Sequence, residues 1–143
     1  MLSRANVRVA RDYPGESGAR QPVHSFYGGA HLFTPDIAPK LGRLALAALE
    51  QHAPTAEVFG EVLGLDRDGE PGFAAKVRER VVAKLQREPI EDLRLDFEDG
   101  YGTRPDAEED GHAVDAAEQM AEGHRRGTLP PFVGIRIKPF NEE

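Results

Sequence analysis

The chain has 143 residues, 39% hydrophobic and 30% charged, with a formal net charge of −7 and no cysteine. This is the make-up of one ordinary globular domain, and an acidic chain without a basic patch is a poor nucleic-acid binder. Disulfide and thiolate chemistry are excluded. No apolar run approaches the length of a bilayer span, and residues 1–15 lack the apolar core of a secretory signal. The expected partner is a small molecule rather than nucleic acid or membrane, and the expected location is the cytoplasm.

Residues 1–20 read as a polar tail, loosest over Pro14-Gly15-Glu16-Ser17-Gly18. Within it, Val7 and Val9 offer at most a short edge strand. Residues 21–143 read as the folded domain. Its first strand is expected over 22–27, stopped by Gly28-Gly29. A helix should follow, opening at Thr34-Pro35-Asp36 or at Ala38-Pro39, because a proline suits the first helical position and Pro39 would interrupt a helix begun at Thr34. Ile37, Leu41, Leu44, Ala45, Ala48 and Leu49 supply its apolar stripe.

A short helix over 55–63 ends at Gly64. Asp68-Gly69 and Pro71-Gly72 mark a polar loop. The next helix, 73–87, places Phe73, Val77, Val81 and Leu85 four apart on one face, and Pro89 closes it. A crossover helix starts at Asp106, with Glu109 three residues on in a capping-box arrangement. Its stripe is Ala113, Ala116, Ala117 and Met120, and Gly123 or Gly127 ends it.

Two strands flank that helix. In the first, Leu93, Leu95 and Phe97 alternate with Arg94, Asp96 and Glu98. In the second, Val133, Ile135 and Ile137 alternate with Gly134, Arg136 and Lys138. Strand side chains alternate between faces, so each strand has one apolar and one charged face. A right-handed βαβ unit makes the strands parallel neighbours with the helix on the apolar side. Asp96, Glu98 and Arg136 then share the other face near the carboxyl ends. The class is α/β with a parallel sheet. The chain stops directly after its third strand, so three βα units read as the first third of a (β/α)8 barrel, which needs about 250 residues.

Carboxylates at the carboxyl end of a barrel strand lie where such folds place their active sites. Asp96, Glu98 and Asp99 have two readings. They hold Mg²⁺ directly or through water, or Asp96 and Glu98 pair with Arg94 or Arg136 while Asp99 caps the next turn. Arg136 suits bidentate binding of a carboxylate substrate or an internal ion pair with Asp96 or Glu98. The glycines of 100–104 lack the P-loop pattern and fit a tight strand-to-helix turn better. His24 and His31 are possible bases, whereas His52, His112 and His124 read as helix-surface residues, and no histidine pair has zinc-ligand spacing.

Leu-Arg-Leu-Asp-Phe-Glu-Asp-Gly, followed some forty residues later by Gly-Ile-Arg-Ile-Lys, resembles the citrate lyase β-subunit and malyl-CoA lyase group. That group lies in the superfamily of the HpcH/HpaI-type aldolases, barrels of the phosphoenolpyruvate/pyruvate-binding type. The longer strings Asp-Phe-Glu-Asp-Gly-Tyr-Gly, Arg-Pro-Asp-Ala-Glu-Glu-Asp and Pro-Pro-Phe-Val-Gly-Ile-Arg-Ile-Lys-Pro are most similar to an uncharacterised aldolase-like branch. The likeness is good over 93–140 and looser over 21–91. It implies a Mg²⁺-dependent carbon–carbon lyase or aldolase acting on an oxo acid or acyl-CoA-type substrate. Arg136 would bind the substrate's carboxylate or oxo group, and Glu98 and Asp99 would sit beside the metal, mostly through water. The direct Glu and Asp ligands of such lyases lie on later strands, beyond residue 143. The chain is therefore expected to be an N-terminal fragment, inactive alone. Two departures stand out: Gly28-Gly29-Ala30-His31 replaces a Val-Pro-containing turn, and Lys138 replaces an asparagine.

Two other readings compete. One is a non-catalytic α/β half-sheet that completes its edge as a homo-oligomer. The other, a nucleotide-binding domain, would need a phosphate loop that Gly28-Gly29-Ala30-His31 supplies poorly.

Overall fold

The computed structural model describes residues 2–65 and 70–140; the Asp68-Gly69 turn and residues 141–143 lie outside them. Three parallel strands form one sheet: β1 (Ser25–Gly29), β2 (Asp92–Asp96) and β3 (Phe132–Arg136), in the order β1-β2-β3. β1 aligns Ser25, Phe26, Tyr27, Gly28 and Gly29 with Asp92 to Asp96 in turn. β3 aligns Phe132, Val133, Gly134, Ile135 and Arg136 with the same five residues. Among the described residues, β1 and β3 each pair on one side only.

β1 begins three residues later than expected and includes Gly28 and Gly29, whose pairing partners are Leu95 and Asp96. Both glycines continue the strand through this pairing, and at Gly29 the neighbouring backbone also comes too close for a side chain. A Cβ on Gly29 would run into the carbonyl oxygen of Gly100.

The helices are α1 (Leu2–Asp12), α2 (Ile37–His52), α3 (Ala56–Leu63), α4 (Phe73–Arg87) and α5 (Asp106–Arg126). Segment 1–20 is thus not structureless throughout, and Val7 and Val9 are helical rather than extended. Arg4, Arg8 and Arg11 recur at helical spacing, and an Arg8–Asp12 pair at i, i+4 supports the turn. Its described side chains are all exposed. Pro39 falls in the first turn of α2, where an amide would have no helical partner. Thr55 caps α3 through Val58 N, and Gly64 closes it in the left-handed region. The capping box of α5 does not form: Pro105 is the N-cap residue and has no side-chain acceptor. Gly127, at φ 63°, ends that helix.

The apolar face of the sheet carries the core. Leu93, Leu95 and Phe97 pack with Ala30, Phe33, Ala38, Ile90, Tyr101 and Ala116, and Ile37, Leu41, Met120, Leu129 and Val133 close around them. α4 and α2 approach at Gly42, where a Cβ would stand 2.8 Å from Pro89. Only part of the α5 stripe is used. Ala116 is buried, while Ala113 and Ala117 line an apolar groove of about 360 Å³ with Ile135 and Ile137. Among the described residues no helix is long and apolar enough to cross a membrane.

Candidate functional site at the carboxyl ends of the strands

The polar face of the sheet is built in three rows set by the strand register: Ser25, Asp92 and Phe132; Tyr27, Arg94 and Gly134; Gly29, Asp96 and Arg136. The last row lies at the carboxyl ends.

Asp96 is 2% exposed. Its Oδ1 accepts from the Glu98 amide and its Oδ2 from the Gly100 amide, both at 2.9 Å. Asp96, not Asp99, therefore caps the turn that follows β2. Burial works against its charge, but these two amides and Arg136 outweigh it and hold its pKa below the usual carboxylate range.

Arg136 gathers the remaining groups. Its Nη1 donates to Asp96 Oδ2 at 3.5 Å, its Nη2 to Asp99 Oδ2 at 2.7 Å, and it pairs with Glu98. The guanidinium lies 5.7 Å from the centroid of the Tyr27 ring, a cation–π arrangement. Hydrogen bonding to Asp99 raises the Arg136 pKa further, with Glu98 adding to it and burial opposing. The three residues Glu98, Asp99 and Arg136 are thus brought together. Three carboxylates around one guanidinium leave the cluster at a formal −2. Asp99 is the loosest member, with its side chain 79% exposed.

The donor chemistry suits a hard divalent cation, but the arrangement does not supply a ligand set. Among the described residues no group of three His, Cys, Asp or Glu side chains is placed to hold a metal ion. Asp96 is engaged by two amides, and Glu98 and Asp99 face Arg136. Direct coordination by these carboxylates does not fit; accepting hydrogen bonds from the waters of a hydrated ion does.

Several neighbours were not singled out in the sequence. Tyr27 is one. Asp92 is another: it begins β2 with the same period as Arg94 and Asp96, and that alternation is the signal that marks it. Asp92 is 1% exposed and accepts from Ser25 Oγ at 2.6 Å and Arg94 Nε at 2.9 Å. Burial pushes its pKa up, but these two hydrogen bonds prevail and lower it. Arg94 therefore pairs with Asp92 rather than with Asp96 or Glu98.

The histidines divide differently from expectation. His24 lies at the other end of the sheet, 3.7 Å from Glu91. His112 is half-buried and shares a 2.7 Å hydrogen bond with the Tyr101 hydroxyl. His31 meets the Tyr101 ring edge-on at 5.4 Å, and its Nδ1 is buried without a partner. Tyr101 of this cluster joins the core, while the His31 ring stands where a side chain on Gly29, level with Asp96 and Arg136, would project. Gly102, at φ 80°, makes the intervening turn.

Among family models, one described as Domain of unknown function (DUF6986) matches residues 2–143. No curated protein and no solved structure matches the chain.

Proposed function

We propose that the chain, which belongs to the DUF6986 family, forms the first βα units of a (β/α)8 barrel whose activity is Mg²⁺-dependent carbon–carbon cleavage or formation on an oxo acid or acyl-CoA-type substrate. The observation that carries the reading is Arg136 at the carboxyl end of β3, hydrogen-bonded to Asp96 and Asp99 and paired with Glu98. The sequential order β1-β2-β3 supports it, because consecutive parallel strands are neighbours around a barrel, whereas a doubly wound sheet reverses order at its switch point.

In this reading Arg136 binds the substrate carboxylate, which takes the place of the exposed Asp99 carboxylate on Nη2. Asp96, fixed by two amides, holds the guanidinium in orientation, and the Tyr27 ring covers one face of it. Glu98 and Asp99 would accept hydrogen bonds from waters on the metal, and its direct ligands would lie on later strands of such a barrel. When bound, Mg²⁺ supplies Lewis-acid stabilisation of an enolate. The proposal extends to a cytoplasmic location, for which the cysteine-free composition is the support.

The test is binding rather than turnover. Calorimetric titration of the 143-residue protein with pyruvate is expected to show binding through Arg136, which needs no metal ligand from outside this sequence. Arg136→Ala should weaken it about tenfold or more, the scale of a lost charge-assisted hydrogen bond, with the thermal midpoint little changed. Equal binding by Arg136→Ala, or none by the unaltered protein, would overturn the reading.

The open edges of β1 and β3 and the exposed Ile135 and Ile137 favour a second reading. In it the chain is a non-catalytic half-sheet that completes itself by homo-oligomerisation. A discrete oligomer in sedimentation, with no pyruvate binding, would support it.

A further inference from the structure

Arg94 and Arg136 rise from the same face of the sheet but lean in opposite directions. Arg136, on β3, reaches across Asp96 to the Tyr27 ring of β1. Arg94, on β2, reaches the other way and lies over Gly134 of β3. The register sets their Cα atoms about 8 Å apart, one strand spacing across and two residues along.

The space that Arg94 occupies exists because residue 134 is a glycine. A Cβ there would collide with Arg94 Nη1 and stand 3.2 Å from its Cζ. Gly134 has no positive φ, so its backbone would admit any residue, and the steric gap is what requires glycine.

The two guanidinium groups differ in how fully they are engaged. Arg136 faces three carboxylates. Arg94 uses Nε on Asp92, and among the described residues its Nη1 and Nη2 have no acceptor. Asp92 is itself buried and fixed by the Ser25 hydroxyl, so it aims the guanidinium through Nε and leaves the two terminal nitrogens for another acceptor. A planar pair of terminal N–H donors, lodged where residue 134 has no side chain, has the geometry for bidentate capture of a carboxylate.

We infer that Arg94, seated over Gly134 and oriented by Asp92, forms a second anion subsite that takes the distal carboxylate of a dianionic oxo acid whose first carboxylate is on Arg136. The inference rests on the Arg136 reading above and deepens it by naming the charge of the substrate. Arg94 is the specificity determinant, and Asp92 and Gly134 are positioning residues.

The ligand pair that isolates the subsite is 2-oxoglutarate and 2-oxovalerate, which share a five-carbon oxo-acid frame and differ by a terminal carboxylate or methyl. Titration of the full chain should show 2-oxoglutarate binding at least about tenfold tighter. Arg94→Gln should bring the two affinities together by weakening 2-oxoglutarate alone. Arg94→Gln also leaves Asp92 buried without its cation, so two further variants guard against misfolding. The double variant Asp92→Asn with Arg94→Gln removes the pair together, and Gly134→Ala keeps the arginine but displaces it. Both should lose the preference while still binding 2-oxovalerate. A preference for 2-oxoglutarate retained in all three variants, or no preference in the unaltered protein, would overturn the Arg94 subsite and leave Arg136 untouched. Failure of the unaltered protein to bind either acid would overturn both. Because each variant is its own control between two ligands, a general loss of stability does not imitate the expected result.

Discussion

Gly29 and Gly100 bring the end of β1 against the turn that follows β2: a Cβ on Gly29 would strike the Gly100 carbonyl oxygen and stand 2.7 Å from the His31 ring. The Gly100 amide, on the same peptide-rich turn, donates to Asp96. Closeness between two glycines thus supports the cradle of the buried carboxylate beneath Arg136.

Substitution at Gly29 should therefore be felt although its φ of −51° is ordinary. Gly29→Ala is expected to cost about 1–3 kcal/mol, the scale of overpacking against atoms that cannot yield. At Gly28 the nearest atom to a Cβ is 3.7 Å away, so Gly28→Ala should stay within about 0.5 kcal/mol. Urea denaturation of both variants checks the contrast, and equal midpoints would remove the steric argument.

Asp96→Asn retains the shape but turns one acceptor into a donor facing a backbone amide. The loss should be about 1–3 kcal/mol, the penalty for leaving a buried amide unsatisfied. Asp99→Asn, at an exposed position, should change stability by less than about 0.5 kcal/mol. If the two variants unfold alike, Asp96 is not the group that holds this turn.

Glu91 predicts an acid limb. Lys84 Nζ at 2.6 Å and the Val23 amide at 2.6 Å lower its pKa from 4.5 to about 2. The unfolded chain then takes up the proton first, so the contribution is complete above pH 4.5 and is lost as pH falls toward about 2. Denaturation midpoints measured down the pH scale should fall through this window. Glu91→Gln should lower the midpoint at neutral pH and flatten the decline, and an unchanged slope would count against the clasp.

His31 gives a second pH dependence of the opposite chemical type. Burial lowers its pKa from 6.5, Arg104 and His112 lower it further, and Glu108 opposes them. The unfolded imidazole binds its proton at the higher pH, so stability should decline as pH drops below about 6.5. Comparing midpoints at pH 7.5 and 5.5, both about one pH unit from the ordinary histidine value, in the unaltered protein and His31→Gln isolates the effect. A loss of equal size in both would assign it elsewhere.

Local periodicity and turn chemistry determined much of the fold. The apolar spacing of Phe73, Val77, Val81 and Leu85 places α4 at Phe73–Arg87, and Thr55 and Gly64 bound α3. Alternation in β2 and β3 identified the charged face that carries Asp96 and Arg136, because a period of two is written in consecutive residues. The helical recurrence of Arg4, Arg8 and Arg11 is equally local, and it is the signal that marks α1 within an otherwise polar segment.

Other features depend on residues distant in the chain, and only the tertiary structure decided them. Gly28 and Gly29 continue β1 because Leu95 and Asp96 pair with them. Arg94 chooses Asp92, and Arg136 collects Asp96, Glu98 and Asp99 while reaching Tyr27. Sequence supplies the charges and their faces, but a guanidinium can turn toward any carboxylate within reach. Strand register and the bare surface at Gly134 decide which one it meets.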